Sequence, residues 1–220
     1  MKPMLLALVI LSFGADAFAQ DYVNSEFHFA ISLPREQGWA PPEIKTASSG
    51  GLARPQQLLV MAGKRSGERI SIQIVDVGDR VSLDAGEYRE GFRSGTMKSF
   101  PPTMRLTAES QTTFAGVPSY QMLIGGTILN RPMNIRIVAI VANRYQYNVS
   151  GYASEAANLT DGDLARALST FRFTEPPLLP NADLTPRSAG EIAGRIAGVA
   201  TMIILVALLA RFLFKRRKKM

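Results

Sequence analysis

Residues that could carry out catalysis are few in this sequence. It contains one histidine, His28, and no cysteine, so thiolate catalysis, thiolate metal sites and disulfides are excluded. Serines are plentiful, but no G-x-S-x-G motif occurs and no second imidazole could serve as a general base. No Gly-rich loop with a lysine is present to cradle a phosphate. We therefore predict no catalytic residue, no metal site, no cofactor and no enzymatic activity.

Two acidic segments have a spacing that a cation could use. Residues 161–163 read Asp-Gly-Asp, but the remaining ligands of an EF-hand loop are absent. A helix N-cap explains this segment better. Asp76 and Asp79, with Glu87 and Glu90 downstream, are better explained as a solvated loop and a solvated helix face.

Three other positions could belong to a binding site. His28 lies between Phe27 and Phe29 in an alternating pattern, so we expect it to point away from the core. Trp39 could line a binding rim, but a single tryptophan in a small domain is more often buried. The pair 125–126 is Gly-Gly inside a strand pattern, which indicates a bulge or bend, or alternatively the close approach of a ligand.

The positive charge is concentrated at the C-terminus. Of the formal net charge of +7, five units come from residues 215–219, which leaves +2 for residues 1–214. A nucleic-acid-binding protein needs its basic residues on the folded domain, with aromatic side chains nearby. We therefore predict no nucleic-acid partner.

The N-terminus has the pattern of a signal peptide, residues 1–19. Lys2 precedes an apolar run from Met4 to Phe13, which is too short to span a bilayer. Residues 17–19 read Ala-Phe-Ala, which matches a cleavage site, and we place the cut after Ala19. An uncleaved N-terminal anchor is the alternative.

A longer apolar stretch near the C-terminus predicts a transmembrane helix over residues 191–214. No charge occurs between Ile196 and Ala210, and the apolar flanks reach Ile192 and Phe214. At 1.5 Å per residue this stretch spans about 34 Å, enough for a hydrocarbon core of about 30 Å. A buried soluble helix or a GPI signal is a poorer explanation, because five consecutive cations follow the stretch.

The basic tail, residues 215–220, fixes the orientation of the span. Because Lys and Arg beside a span stay in the cytoplasm, the N-terminal domain lies outside it. The short signal and the lack of cysteine suit a bacterial periplasm, so we predict a single-pass protein of the inner membrane. The lipid bilayer is then a partner. The cations of the tail either contact anionic lipid headgroups or, alternatively, serve only to orient the span. The residues expected to contact lipid are Arg211, Lys215, Arg216, Arg217, Lys218 and Lys219.

Glycines recur at every fourth position at the start of this span. We call Gly190, Gly194 and Gly198 the glycine stripe. Small residues at this spacing share one helix face and allow close helix packing, so the stripe predicts a transmembrane packing face and a possible homodimer.

The folded domain is predicted to cover residues 21–173, followed by a Pro-rich linker over 174–190. Four prolines in the linker prevent a regular helix, so we expect an extended spacer. Within the domain, alternating apolar residues predict strands with short connections, hence an antiparallel meander. In the last strand, Tyr145, Tyr147 and Val149 are expected to face the core, whereas Gln146, Asn148 and Ser150 are expected to face solvent.

Two helices interrupt the strands. The first is predicted to start near Ser82 and run to Lys98, weakened by three glycines. The second is predicted to start at a capping box formed by Thr160 and Asp163. This order of elements predicts an α+β fold, with an antiparallel β-sheet and helices packed on it.

Several segments resemble the PsbP-like α/β/α sandwich superfamily. They are EFHFAISLPREQGW, FAGVPSYQMLI, RIVAIVANRYQYNVSGYA and LSTFRF, and the resemblance covers about residues 22–173. It implies a sheet with helices on both faces, and a non-enzymatic binding or assembly module. No functional residue is carried over, because no site motif is matched position by position.

These patterns together predict a membrane-tethered periplasmic module that binds a protein partner near the membrane. One alternative is an enzyme or a small-ligand receptor, with a site built from loop residues around Gly125 and in 35–55. Another alternative is a single-pass signalling protein that dimerises through its transmembrane helix.

Overall fold

A computed structural model describes residues 19–48, 56–78, 81–83 and 86–180, and the three residues of the glycine stripe. The predicted signal peptide up to residue 18, the basic tail, and the predicted span apart from Gly194 and Gly198 lie outside the described residues. Within the part that is described, no helix combines the length and the apolar character that crossing a bilayer requires.

The described residues form ten strands, a short 3-10 helix at Arg35–Gln37 and three α-helices. In chain order the strands and α-helices are β1 (Ala19–Asn24), β2 (Phe29–Pro34), β3 (Glu43–Ser48), β4 (Gln56–Gly63), β5 (Arg69–Asp76), α1 (Gly86–Lys98), β6 (Met104–Phe114), β7 (Val117–Ile128), β8 (Arg131–Ala142), β9 (Tyr145–Ala153), α2 (Asn158–Asp161), α3 (Asp163–Ser169) and β10 (Arg172–Phe173).

Seven of these strands form the central sheet, in the order β3-β4-β5-β9-β8-β7-β6, and every neighbouring pair is antiparallel. Three two-residue turns join β6 to β7, β7 to β8 and β8 to β9. Both residues of each turn have positive φ, the geometry that matches the twist of a hairpin. The turn residues are Ala115 and Gly116, Leu129 and Asn130, and Asn143 and Arg144. The predicted antiparallel meander is confirmed.

The central sheet is covered on both faces. On one face lie β2, α2 and α3, with a core that includes Phe29, Ile72 and Phe171. On the other face lies α1, with a core that includes Phe92, Met122 and Ile137. A small sheet in the order β1-β2-β10 completes the first layer. The predicted α+β fold, with an antiparallel sheet and helices packed on it, is confirmed for this domain.

The double cover corrects one prediction about β9. Gln146, Asn148 and Ser150 are at most 3% exposed, whereas alternation with Tyr147 and Val149 predicted that they face solvent. The alternation is real, because the polar residues do point to the opposite face of the sheet. That face is covered as well, so the polar side chains are buried.

The structure bears on both predicted helix starts. The first helix is described over Gly86–Lys98, residues 84 and 85 lie outside the described residues, and Ser82 is buried in non-helical chain. The second region is divided into α2 and α3, with Gly162 as the N-cap of α3 and no side-chain capping bond. Thr160 lies inside α2, where its hydroxyl donates to the carbonyl oxygen of Ala157, so the predicted capping box is wrong.

Candidate helix-docking site on α1

Helix α1 depends on its contacts, because its own sequence favours a helix weakly. Glycines occupy positions 86, 91 and 95, and each costs about 1 kcal/mol relative to alanine in a helix interior. The buried residues Tyr88, Phe92 and Thr96, at spacing four, are not exposed at all. With Ser99, just beyond the helix, they form what we call the α1 row.

A buried polar network fixes the start of the α1 row to the sheet. The Tyr88 hydroxyl donates to Oε1 of Gln146 on β9. The Gln146 amide donates to Oδ1 of Asn148 over 2.6 Å, and Asn148 donates to Oε1 of Gln73 on β5 over 3.3 Å. Because buried polar groups are costly without partners, this chain of bonds specifies where α1 sits on β5 and β9.

Farther along α1, an aromatic contact and a charged pair hold the helix to β6 and β7. The rings of Phe92 and Tyr120 meet edge to face, with centroids 6.2 Å apart. Burial raises the pKa of Tyr120, and the hydrogen bond that it donates to Glu109 raises this pKa further. Arg93 also reaches Glu109, at 3.4 Å. Helix α1 is therefore attached to β6 and β7 as well as to β5 and β9.

The glycine stripe packs directly on the α1 row. Each of its residues is helical and buried. A Cβ added at Gly190 would lie 2.0 Å from the carbonyl oxygen of Tyr88, and one at Gly194 would lie 2.0 Å from that of Phe92. A Cβ at Gly198 would lie 2.3 Å from the Ser99 Cβ. Real Cβ contacts are never this short, so only glycine fits at these three positions.

The contact advances by four residues on both sides. Gly190 meets Tyr88 and Gly194 meets Phe92, while a Cβ added at Gly198 would lie 2.8 Å from the carbonyl oxygen of Thr96 as well as close to Ser99. The three glycines therefore advance along α1 in the same chain direction, with a constant offset in residue number. This is the close backbone approach that small residues at spacing four permit. The predicted packing face thus contacts α1 of the same chain.

One hydrogen bond fixes the register of this contact. The Thr96 hydroxyl donates to the carbonyl oxygen of Gly194 over 3.2 Å. Both residues are buried, and a buried hydroxyl needs such a partner. The arrangement can hold a helix whose contacting face carries no side chains.

The acidic segments are occupied by cations of the protein itself. Asp163 contacts Lys64 at 2.7 Å and also pairs with Arg166. The hydrogen bond from Lys64 is the main reason that the pKa of Asp163 is lowered. Asp76 pairs with Arg144 at 2.8 Å. Among the described residues, no group of three or more metal-ligating side chains has the geometry to bind a metal ion.

His28 points away from the core and Trp39 is buried, as predicted, although His28 lies in a turn and not on a strand. His28 occupies a turn with a φ of 51°, and its ring is 3.3 Å from Glu175 with 40% of the side chain exposed. Trp39 is 4% exposed and belongs to the core beside β2. Neither residue lies near the α1 row.

The pair Gly125 and Gly126 serves a close approach of the chain to itself. Gly126 has a φ of 157°, and an added Cβ would lie 2.1 Å from the carbonyl oxygen of Thr103. The register of β6 against β7 also shifts between Leu106 and Ala108. That irregularity lies on β6, whereas Gly125 and Gly126 keep a regular register with both β6 and β8, so the glycine pair itself forms no bulge, and the space at Gly126 is filled by residue 103.

A shallow cleft of about 370 Å³ lies at one end of the sheet. Ser66, Glu68, Arg131 and Tyr152 are among its lining residues. Glu68 is engaged within the protein, because it accepts hydrogen bonds from Ser66 and Asn158. Neither Gly125 nor a described residue of the 35–55 loop lines this cleft.

The first part of the predicted linker is attached to the domain. The backbone N–H of Thr174 donates to the carbonyl oxygen of His28 over 2.9 Å. Leu178 exchanges two hydrogen bonds with Asn143, both of 2.8 Å, one through the Asn143 side chain. Ordered contacts therefore continue beyond Phe173, the predicted domain end.

Sequence reasoning identified the glycine stripe but not its contact surface. No sequence pattern identified Thr96 as the donor to Gly194. A usable signal was present, because Tyr88, Phe92 and Thr96 share the spacing of four with the stripe.

Comparison with known structures supports the predicted resemblance. The solution structure of cyanobacterial PsbP (CyanoP) from Synechocystis sp. PCC 6803 is similar, with a TM-score of 0.51 at 12% sequence identity. The alignment covers 76% of this chain and 98% of that one. PA94 from Pseudomonas aeruginosa, a protein of unknown function, aligns with a TM-score of 0.38 at 15% identity, over 69% of this chain and 94% of that one.

The domain therefore has the PsbP-like fold. No protein-family model and no curated protein matches the sequence.

Proposed function

We propose that this protein is a non-enzymatic module, tethered to the bacterial inner membrane, that binds a protein partner on the periplasmic side. The observation that carries the proposal is the α1 row, which holds a helix backbone at contact distance. A surface of this kind suits a segment of protein rather than a small substrate, because its described contacts to the glycine stripe are made largely by the backbone of α1, together with the hydrogen bond from Thr96.

The predicted signal peptide, span and basic tail support the location. A cleaved signal carries the domain out of the cytoplasm, and the tail that ends in KRRKKM keeps the C-terminus inside. The cations of the tail, with Arg211, then lie against the cytoplasmic headgroups. The bilayer is thus the first partner of the protein.

The attached part of the linker limits the distance between domain and membrane. In the membrane-inserted chain, Leu178, which is hydrogen-bonded to Asn143, is the last described contact of the linker, and the 12 residues 179–190 separate it from the predicted span. At about 3.1 Å per residue, an extended Pro-containing segment of this length reaches about 37 Å. The partner is therefore a membrane protein, or a protein that lies close to the membrane surface.

Photo-crosslinking in the membrane tests the proposal. A photoreactive amino acid replaces Ser99, at the end of the α1 row, in the full chain. The control has the same amino acid at Ser169, an exposed residue of α3 on the opposite face of the sheet. We expect one membrane-associated protein to be crosslinked from position 99 and not from position 169. Equal products from both positions, or none from position 99, would contradict the proposal.

The topology has a separate test. Alkaline phosphatase, which is active only outside the cytoplasm, is fused after Pro180, and in a second chain after Met220. We expect activity from the first fusion alone. An inactive first fusion would remove the periplasmic location, whatever the crosslinking result.

A further inference from the structure

We propose that the glycine stripe is a self-ligand of α1, and that insertion of the C-terminal segment into the bilayer vacates the α1 row for a partner helix with glycine at every fourth position. This inference rests on the proposed function, since it names the regulation and the partner chemistry of the same site. The observations that carry it are the three backbone contacts and the hydrogen bond between Thr96 and Gly194.

The stripe has one partner at a time. The position that a Cβ of Gly194 would take is 2.0 Å from the carbonyl oxygen and 2.7 Å from the carbonyl carbon of Phe92. A second helix cannot approach the same face of Gly194 while Phe92 occupies it. Packing on α1 and dimerisation through the stripe in a bilayer are therefore mutually exclusive.

The stripe also cannot lie in the bilayer and dock on α1 at the same time. Gly194 and Gly198 lie within the predicted span of residues 191–214, yet both are buried against the domain. Among the described residues, the docked stripe contributes backbone contacts and the hydrogen bond from Thr96, whereas insertion places about twenty apolar residues in hydrocarbon. Where a bilayer is available, insertion wins and the stripe leaves α1.

The vacated row selects its occupant by size. Alanine, the smallest residue with a Cβ, already collides with the carbonyl oxygens of Tyr88 and Phe92 in the observed geometry. A partner helix that takes the same position must carry glycine at these contacts, at spacing four. The Thr96 hydroxyl then donates to a backbone carbonyl of the partner, as it does to Gly194.

Cysteine labelling tests the switch in the full chain. The protein has no native cysteine, so Thr96→Cys gives a single thiol at a position with no exposure. The chain is synthesised without lipid or with vesicles of phosphatidylethanolamine and phosphatidylglycerol, and its reaction with a maleimide is timed. We expect labelling at least tenfold faster with vesicles, and no change for Ser169→Cys on exposed α3. Equal rates for Thr96→Cys in both conditions would overturn the inference.

A peptide tests the occupant. A synthetic peptide with the sequence of residues 188–200 is added to the vesicle-bound Thr96→Cys chain. We expect it to slow labelling at least fivefold, whereas the same peptide with Gly194→Ile has no effect. Equal protection by both peptides, or by neither, would refute the size selection. Ser99→Cys is labelled in parallel, because it leaves the Thr96 hydrogen bond intact.

The results separate the two proposals. A vesicle-dependent rate without a crosslinked partner would retain the switch and reject the binding function. A crosslinked partner at Ser99 with a constant labelling rate would retain the function and reject the self-ligand.

Discussion

The hydroxyl of Thr96 donates a hydrogen bond to the carbonyl oxygen of Gly194 over 3.2 Å, and so joins residues that are 98 positions apart. It lies midway along a contact in which three glycines meet consecutive turns of α1. This contact matters because it connects the predicted membrane segment to the folded domain.

Replacement of Thr96 by valine tests how much this hydrogen bond contributes to the free energy of unfolding. The change keeps the volume but removes the donor, so the carbonyl of Gly194 is left without the hydroxyl. We expect the free energy of unfolding of the lipid-free full chain to fall by about 1 kcal/mol. Urea denaturation measures the loss.

The control for this variant is Thr112→Val on β6, where the side chain is exposed. A surface change of this kind stays within about 0.5 kcal/mol. A similar loss for both variants would contradict a specific role for the Thr96 hydroxyl.

Removal of the Tyr88 hydroxyl tests the buried network. Tyr88→Phe leaves Oε1 of Gln146 without its donor in a fully buried position. We expect a loss of about 1–3 kcal/mol in unfolding free energy, because the acceptor stays desolvated. Tyr145→Phe, at a half-buried ring that packs on Phe27, is the matched change, and an equal loss there would argue against the network.

Gly126 provides a test of backbone strain. Alanine at this position combines a φ of 157° with an approach of 2.1 Å to the carbonyl oxygen of Thr103. We expect Gly126→Ala to destabilise the domain by about 2 kcal/mol or more, measured as a lower urea midpoint. Gly86→Ala needs no left-handed φ, and its Cβ would lie at an ordinary contact distance of 3.8 Å from the Arg89 guanidinium, so it is expected to be neutral or stabilising. The opposite order of the two variants would refute the assignment.

The contact between Lys64 and Asp163 predicts a pH dependence. The pKa of Asp163 is lowered, first by the hydrogen bond from Lys64. A carboxyl with a lowered pKa in the folded state contributes stability above its unfolded pKa of about 3.9. That contribution disappears as the pH falls through the lower folded pKa.

Asp163→Asn is therefore expected to reduce stability at pH 7 by about 1 kcal/mol or less, since the carboxyl is one-third exposed. The difference from the unmodified chain should shrink below pH 4. Thermal unfolding between pH 2 and pH 7 measures it, with Asp161→Asn as the control. A difference that grows towards acid would have the wrong sign.

Most strands of the central sheet could be predicted from sequence because they carry their own signal, whereas β1 and β3 were not predicted. Ile70, Ile72 and Ile74 alternate, and Asn143-Arg144 marks a two-residue turn. The burial of Gln146 and Asn148 could not be predicted in the same way. Alternation reports only that two faces differ, and whether the second face meets water depends on α1, which lies far away in sequence.

The glycine side of the candidate site could be predicted from sequence, but the surface that it contacts could not. The spacing of Gly190, Gly194 and Gly198 indicated a close helix contact, and the structure places such a contact there. The partner could not be predicted, because glycine has no side chain that would indicate a particular surface. Homodimerisation through these residues in a bilayer stays a prediction.

The most direct measurement of the central claim, that α1 receives the glycine stripe, is the labelling of a thiol in the α1 row. Thr96 has no exposure, so the reaction of Thr96→Cys with a maleimide is timed in the lipid-free full chain, with and without Gly194→Ile, whose Cβ would collide with the carbonyl oxygen of Phe92. We expect Gly194→Ile to speed the labelling of Thr96→Cys at least tenfold and to leave the labelling of Ser169→Cys, on exposed α3, unchanged. Equal rates for Thr96→Cys with and without Gly194→Ile would contradict the account.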